Sequence, residues 1–121
     1  MTETEQNSGY DLEQRTFEFA RSVRQFCKEL PRTIGNIEDA KQLIRSSGSV
    51  GANYIEANEA LSKRDFRHRI RIARKESKES QYWLKLLDCR DDRHLVEQRG
   101  ELVEEGRQLM LILGAILRNS S

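Results

Sequence analysis

Apolar residues in this chain recur at three- and four-residue steps through four successive runs, with only short gaps between the runs. That spacing puts the apolar side chains of each run on one face of a helix, and such a face must be buried against other helices. The first run extends over residues 12–30 and carries Phe19, Ala20, Val23, Phe26, Cys27 and Leu30. Pro31, the only proline, ends it, because proline disfavours α geometry in the residue before it. Asn36 is placed to cap the next run, residues 37–57, with Glu38 and Asp39 near its N-terminal dipole.

This second run (Ile37, Ala40, Leu43, Ile44, Ser47, Val50, Tyr54, Ala57) also holds Gly48 and Gly51 among serines. Each interior glycine costs ~1 kcal/mol of helix propensity relative to alanine. Either the helix breaks near residues 46–51, or a second helix packs closely there and supports it. Ser62 with Asp65 resembles a capping box for a third helix over residues 63–88, through Phe66, Ile70, Ala73, Ser77, Ser80, Trp83, Leu84 and Leu87. Of the adjacent Tyr82 and Trp83, one can enter the core while the other lies at an edge or a subunit interface. Residues 89–94 lack an apolar period and read as a turn. The fourth run, residues 95–117, carries Leu95, Leu102, Val103, Leu109, Met110, Leu113, Ile116 and Leu117, interrupted at Arg99 and Gly106.

Long helices joined by short connectors favour antiparallel neighbours. The expected fold is therefore all-α, an antiparallel up-down-up-down four-helix bundle over residues 12–118, after a disordered tail at residues 1–11. Composition agrees: Ala, Glu, Lys, Leu and Arg make up 55 of 121 residues, near the share typical of long amphipathic helices. No stretch has the ~18 uncharged apolar residues of a membrane span, and the N-terminus lacks the basic region of a signal peptide. Two cysteines 62 positions apart, without a CxxC, read as reduced thiols of a cytoplasmic protein.

The strongest charge feature opens the third helix. Residues 63–78 hold eight basic and two acidic side chains, +6 in sixteen residues of a chain whose net charge is +1. Arg64, Arg67, Arg71, Arg74, Lys75 and Lys78 share one broad face, away from Phe66, Ile70 and Ala73. Such a stripe can grip a phosphate backbone without reading sequence. The competing reading is a solvated face, partly neutralised by Glu97, Glu101, Glu104 and Glu105 of the fourth run. On the second helix a polar stripe (Gln42, Arg45, Ser46, Ser49, Asn53, Glu56) borders the apolar one and suits hydrogen bonds across helices that fix register.

Catalysis has little to stand on. A di-iron bundle requires Glu-x-x-His on two helices, and the nearest matches here are Asp65–His68 at a helix start and Asp91–His94 in the expected turn. GxSxG, Walker and GxGxxG motifs are missing. The expectation is a non-enzyme with no metal and no cofactor.

The run Gln42-Leu43-Ile44-Arg45-Ser46-Ser47-Gly48-Ser49-Val50-Gly51-Ala52-Asn53-Tyr54-Ile55-Glu56-Ala57, then Lys63 and Phe66, then Ile72-Ala73-Arg74-Lys75-Glu76-Ser77-Lys78-Glu79 followed by Tyr82-Trp83-Leu84, resembles the family of 23S rRNA-intervening sequence proteins. Tyr54 adds one residue to the family pattern, and Ala57 stands where glycine is common. The resemblance implies an unbroken second helix and a homo-oligomer, a pentamer. It also implies that Gln42, Arg45, Ser49, Asn53, Glu56, Glu76 and Glu79 form a structural polar seam between helices or subunits. It extends to the accessory protein of diversity-generating retroelements, a pentameric barrel that engages nucleic acid and a reverse transcriptase. The expected partners are thus further copies of the chain, RNA or DNA bound on the basic face, or, in the alternative, a protein held by a scaffold that binds no nucleic acid.

Overall fold

In a computed structural model the chain forms four helices, α1 (Glu3–Glu29), α2 (Ile34–Asn58), α3 (Lys63–Leu86) and α4 (Arg93–Asn119). The structure describes residues 3–120, with side chains from residue 12 onward; of the tail expected at residues 1–11, residues 1 and 2 lie outside the described residues and residues 3–11 stand within α1. Contacts between helices run in opposite directions along the two partners. Thr16 meets Gly51 while Arg24 meets Gly48. Asn36 bonds to Asp88, Ser46 to Ser80 and Asn53 to Arg69. Arg67 reaches Leu117, Ser77 reaches Gly106, and Leu87 accepts from Arg99. Neighbouring helices are therefore antiparallel, and the Arg15–Glu105 pair closes α4 onto α1.

The core draws on every helix: Phe19, Val23 and Phe26 from α1, Leu43, Val50 and Tyr54 from α2, Ile70, Ala73 and Leu84 from α3, and Leu102, Leu109 and Leu113 from α4. The second helix is unbroken, and the close packing that supports it is visible. A Cβ on Gly51 would lie 2.8 Å from Thr16 Oγ1 and 3.1 Å from Thr16 Cβ, so only glycine admits α1 this close. On the other flank, Ser46 Oγ and Ser80 Oγ share a buried hydrogen bond of 2.9 Å.

The helix ends differ from expectation in three places. Thr33, not Asn36, caps α2, its hydroxyl accepting the Asn36 N–H. Asn36 is buried, where its Nδ2 donates to the carbonyls of Pro31 and Asp88 and its Oδ1 accepts the Asp88 N–H. One side chain thus ties the first connector to the third. α3 stops at Leu86, two residues early, and α4 begins at Arg93, so His94 is helical rather than in the turn. The cap of α4 is Asp92, which accepts the Leu95 N–H at 3.1 Å.

The interruptions in the fourth run also find their reasons. Arg99 Nη1 donates to the Leu87 carbonyl at 2.6 Å, satisfying an orphan acceptor at the end of α3. Gly106 is buried against α3, where its carbonyl accepts from Ser77 Oγ at 2.7 Å. Among the described residues no helix is long and apolar enough to cross a membrane.

Candidate functional site

The outer face of α3 follows directly from its helical geometry. With Ile70, Ala73, Ser77, Ser80 and Leu84 buried, residues about half a turn away must point to solvent at 100° per residue. Arg64, Arg71, Arg74, Lys75 and Lys78 are exposed. None of these five makes an ion pair among the described residues. Arg67, assigned to the same face, turns instead onto α4. Its Nη1 donates to the Leu117 carbonyl at 2.5 Å and to Ser120 Oγ at 2.9 Å, capping the end of that helix. Arg74 lies at the α4 edge beside Gly114. Arg64, Arg71, Lys75 and Lys78 therefore form the outward row.

The acidic side chains of α4 do not pair with this row. Glu105 forms a two-bond fork with Arg15 of α1, at 2.7 and 3.1 Å. Glu104 is held by Arg107 and Gln108 of its own helix, which bring its carboxyl down to about 2. Glu97 and Glu101 are exposed beside them. Antiparallel packing sets residues 97–105 level with the second half of α3, which carries Lys75 and Lys78, so only Arg64 and Arg71 are also separated from these carboxylates along the bundle.

The second site is the boundary between α2 and α3. Arg45 Nη1 donates to Glu76 Oε2 at 3.0 Å, with Glu79 Oε2 at 3.9 Å from Nη2. Glu76 is only 5% exposed, and burial pushes its carboxyl above the usual range. The neighbouring Glu79 carboxylate adds to that rise, while Arg45 opposes it. Further along, Asn53 accepts from Arg69 Nη1 at 3.2 Å and donates to the Ser49 carbonyl at 2.9 Å. Arg45, Glu76, Glu79 and Asn53 are thus brought to one boundary. Gln42 and Glu56 face solvent, and Ser49 contributes its carbonyl. Arg69 belongs to this seam, and a basic residue two positions after Arg67, on the opposite flank of the helix, was the available signal.

A third feature had no counterpart in the sequence reading. An open apolar groove of about 700 Å³ runs between α1 and α2, floored by Ala20, Gly48, Gly51 and Ala52 and edged by Phe17 and Ile55. Phe17 is 58% exposed there. The glycines that allow close packing also leave this surface concave.

Reactive groups are few. Burial pushes the Cys27 thiol up to about 11, against a smaller opposing effect from Arg24. Burial also raises the Cys89 thiol. His68 and His94 are exposed. Among the described residues, no three His, Cys, Asp or Glu side chains converge as a metal site.

Comparison with known proteins points the same way as the fold. A family model described as 23S rRNA-intervening sequence protein matches residues 9–112. No curated protein matches the chain. Among solved structures, a protein of unknown function from the S23 ribosomal protein family of Bacteroides thetaiotaomicron superposes with a TM-score of 0.77 and 28% sequence identity, covering 91% of this chain and 97% of that one.

Proposed function

Because the chain belongs to the 23S rRNA-intervening sequence protein family, we propose that it is a non-catalytic, homo-oligomeric cytoplasmic accessory that binds RNA or DNA through the outer face of α3. The observation that carries this reading is the exposed row Arg64, Arg71, Lys75 and Lys78, which makes no ion pair with a carboxylate among the described residues. Four cations along about two-thirds of a helix suit phosphates, whose contacts release counterions and need no base readout. Self-association, as the pentamer implied by the family resemblance, is supported by the apolar groove between α1 and α2. Two protonated, sheltered thiols fit a reducing compartment and offer no nucleophile.

The test is retention of labelled RNA and DNA across a salt series, with the mass determined in parallel. The wild type binds with steep salt dependence. An Arg71→Glu, Lys75→Glu, Lys78→Glu variant of unchanged helicity loses retention. Replacing any one of these residues by alanine reduces the salt slope by about one. Binding that ignores salt would refute phosphate contact. A second reading, a protein-interaction scaffold without nucleic-acid binding, draws on the same groove and its exposed Phe17. It gains if a well-formed oligomer retains no nucleic acid.

A further inference from the structure

The outward row of α3 does not end at its last lysine. Steps of four, three and four residues lead from Arg71 through Lys75 and Lys78 to Tyr82, so the phenol stands on the same face, one turn beyond Lys78. Tyr82 is 59% exposed. The Trp83 ring packs beside it in an edge-to-face arrangement, with centroids 5.2 Å apart and planes at 77°. Trp83 is itself half-buried and packed against the core. The helix thus presents a run of cations followed by an aromatic ring that is open to solvent and packed beside Trp83.

We infer that Tyr82 is a stacking platform for an unpaired base, and that the ligand of this face is single-stranded rather than duplex nucleic acid. The inference rests on the phosphate-binding reading of the row. Bases inside a duplex already stack on their neighbours and offer no free face, whereas every unpaired base does. A strand held by its phosphates at Lys75 and Lys78, about 6–10 Å along the helix from Tyr82, carries its next bases over the phenol. The cations supply affinity for either form, and the aromatic discriminates between them.

The experiment uses the full chain with short labelled single strands of RNA and of DNA and the matching duplexes. Wild type, Tyr82→Ala, Tyr82→Phe and the Lys75→Glu, Lys78→Glu variant are compared, each checked for helicity and mass. Expected are tighter binding of single strands than of duplex, and a loss of about tenfold for single strands in Tyr82→Ala, as for one stacked base. Duplex binding by Tyr82→Ala stays unchanged, and Tyr82→Phe stays within twofold of wild type. The lysine variant loses both ligands. If it does so while Tyr82→Ala binds single strands like wild type, the platform is refuted and the phosphate row stands. If no variant, wild type included, retains any strand, both readings fall. A changed mass in Tyr82→Ala with unchanged binding would make Tyr82 a subunit contact and overturn the inference.

Discussion

Adding a single methyl group at two glycines should move stability in opposite directions. Gly100 lies inside α4, and a Cβ built there meets nothing within 4 Å. Gly100→Ala removes only the helix-propensity penalty, so it should stabilise by about 1 kcal/mol. Gly51 has the same helical context and the same propensity gain. Its Cβ, however, would lie 2.8 Å from Thr16 Oγ1 and 3.1 Å from Thr16 Cβ. Thr16 is buried and β-branched, and its hydroxyl already donates to the Glu13 carbonyl at 2.9 Å. It cannot swing away without stranding that group, so α1 and α2 must separate. Overpacking of this kind costs roughly 1–3 kcal/mol, and loss of the hydroxyl's bond about 1 more. Set against the propensity gain, Gly51→Ala should destabilise by about 1–3 kcal/mol. For a domain of this size that is a fall in Tm of roughly 4–12 °C, against a rise of roughly 4 °C for Gly100→Ala. Thermal and urea melts by circular dichroism at one protein concentration measure both, since self-association makes Tm concentration-dependent. In a Thr16→Ala background the cost of Gly51→Ala should shrink by about 1 kcal/mol. Equal stabilisation by both alanines, or no effect of the Thr16 background, would refute the close α1–α2 contact.

Other perturbations probe the remaining structure. Asn36→Ala strands the main-chain N–H and C=O of Asp88 together with the Pro31 carbonyl, and should cost roughly 2–3 kcal/mol in urea unfolding; a loss below about 0.5 would mean the connectors are not tied there. Glu76 has a folded-state pKa raised above its ordinary 4.5, so its contribution is fully present below that pH and is lost as pH rises through the raised value. Urea midpoints of wild type should therefore fall relative to Glu76→Gln from pH 4.5 upward, and parallel curves would show that burial does not strain this carboxylate. With its thiol near 11, Cys27 should alkylate at pH 8 more than a hundredfold slower than a free thiol and regain ordinary reactivity in urea; fast labelling of the folded protein would place it at the surface.

What the sequence discloses is burial, and burial has a period. The apolar positions that define the four runs are buried or half-buried without exception, because a bundle core touches each helix every 3.6 residues. Helix starts are less legible for the same reason. The first turn of α2 begins with an exposed Ile34 and that of α4 with an exposed Arg93, so no apolar rhythm announces them. Thr33 and Asn36 are both good caps by residue type. The choice is made by Asp88, 52 residues away, whose main-chain groups recruit the Asn36 amide. A helical wheel likewise gives Arg67 its angle but not its neighbour. It reads as one more cation on the stripe until the carboxyl end of α4 is seen beside it, where the Leu117 carbonyl and the helix dipole favour a guanidinium.

The same distinction bears on the chain's net charge of +1, which by itself argues against a nucleic-acid ligand. Near-neutrality here is a sum over two separated faces. Of the α4 carboxylates, Glu105 is paired with Arg15 of α1 and Glu104 with Arg107 of its own helix, and all of them lie toward the other end of the bundle from Arg64. Packed helix axes stand about 8–10 Å apart, and side chains on outer faces pointing away from one another are farther apart still. At physiological salt the Debye length is about 8 Å. Charges so placed are screened from each other before they can cancel, so a polyanion approaching α3 meets Arg64, Arg71, Lys75 and Lys78 rather than the average. Local field, and not total charge, is the quantity that decides whether this face is a binding surface.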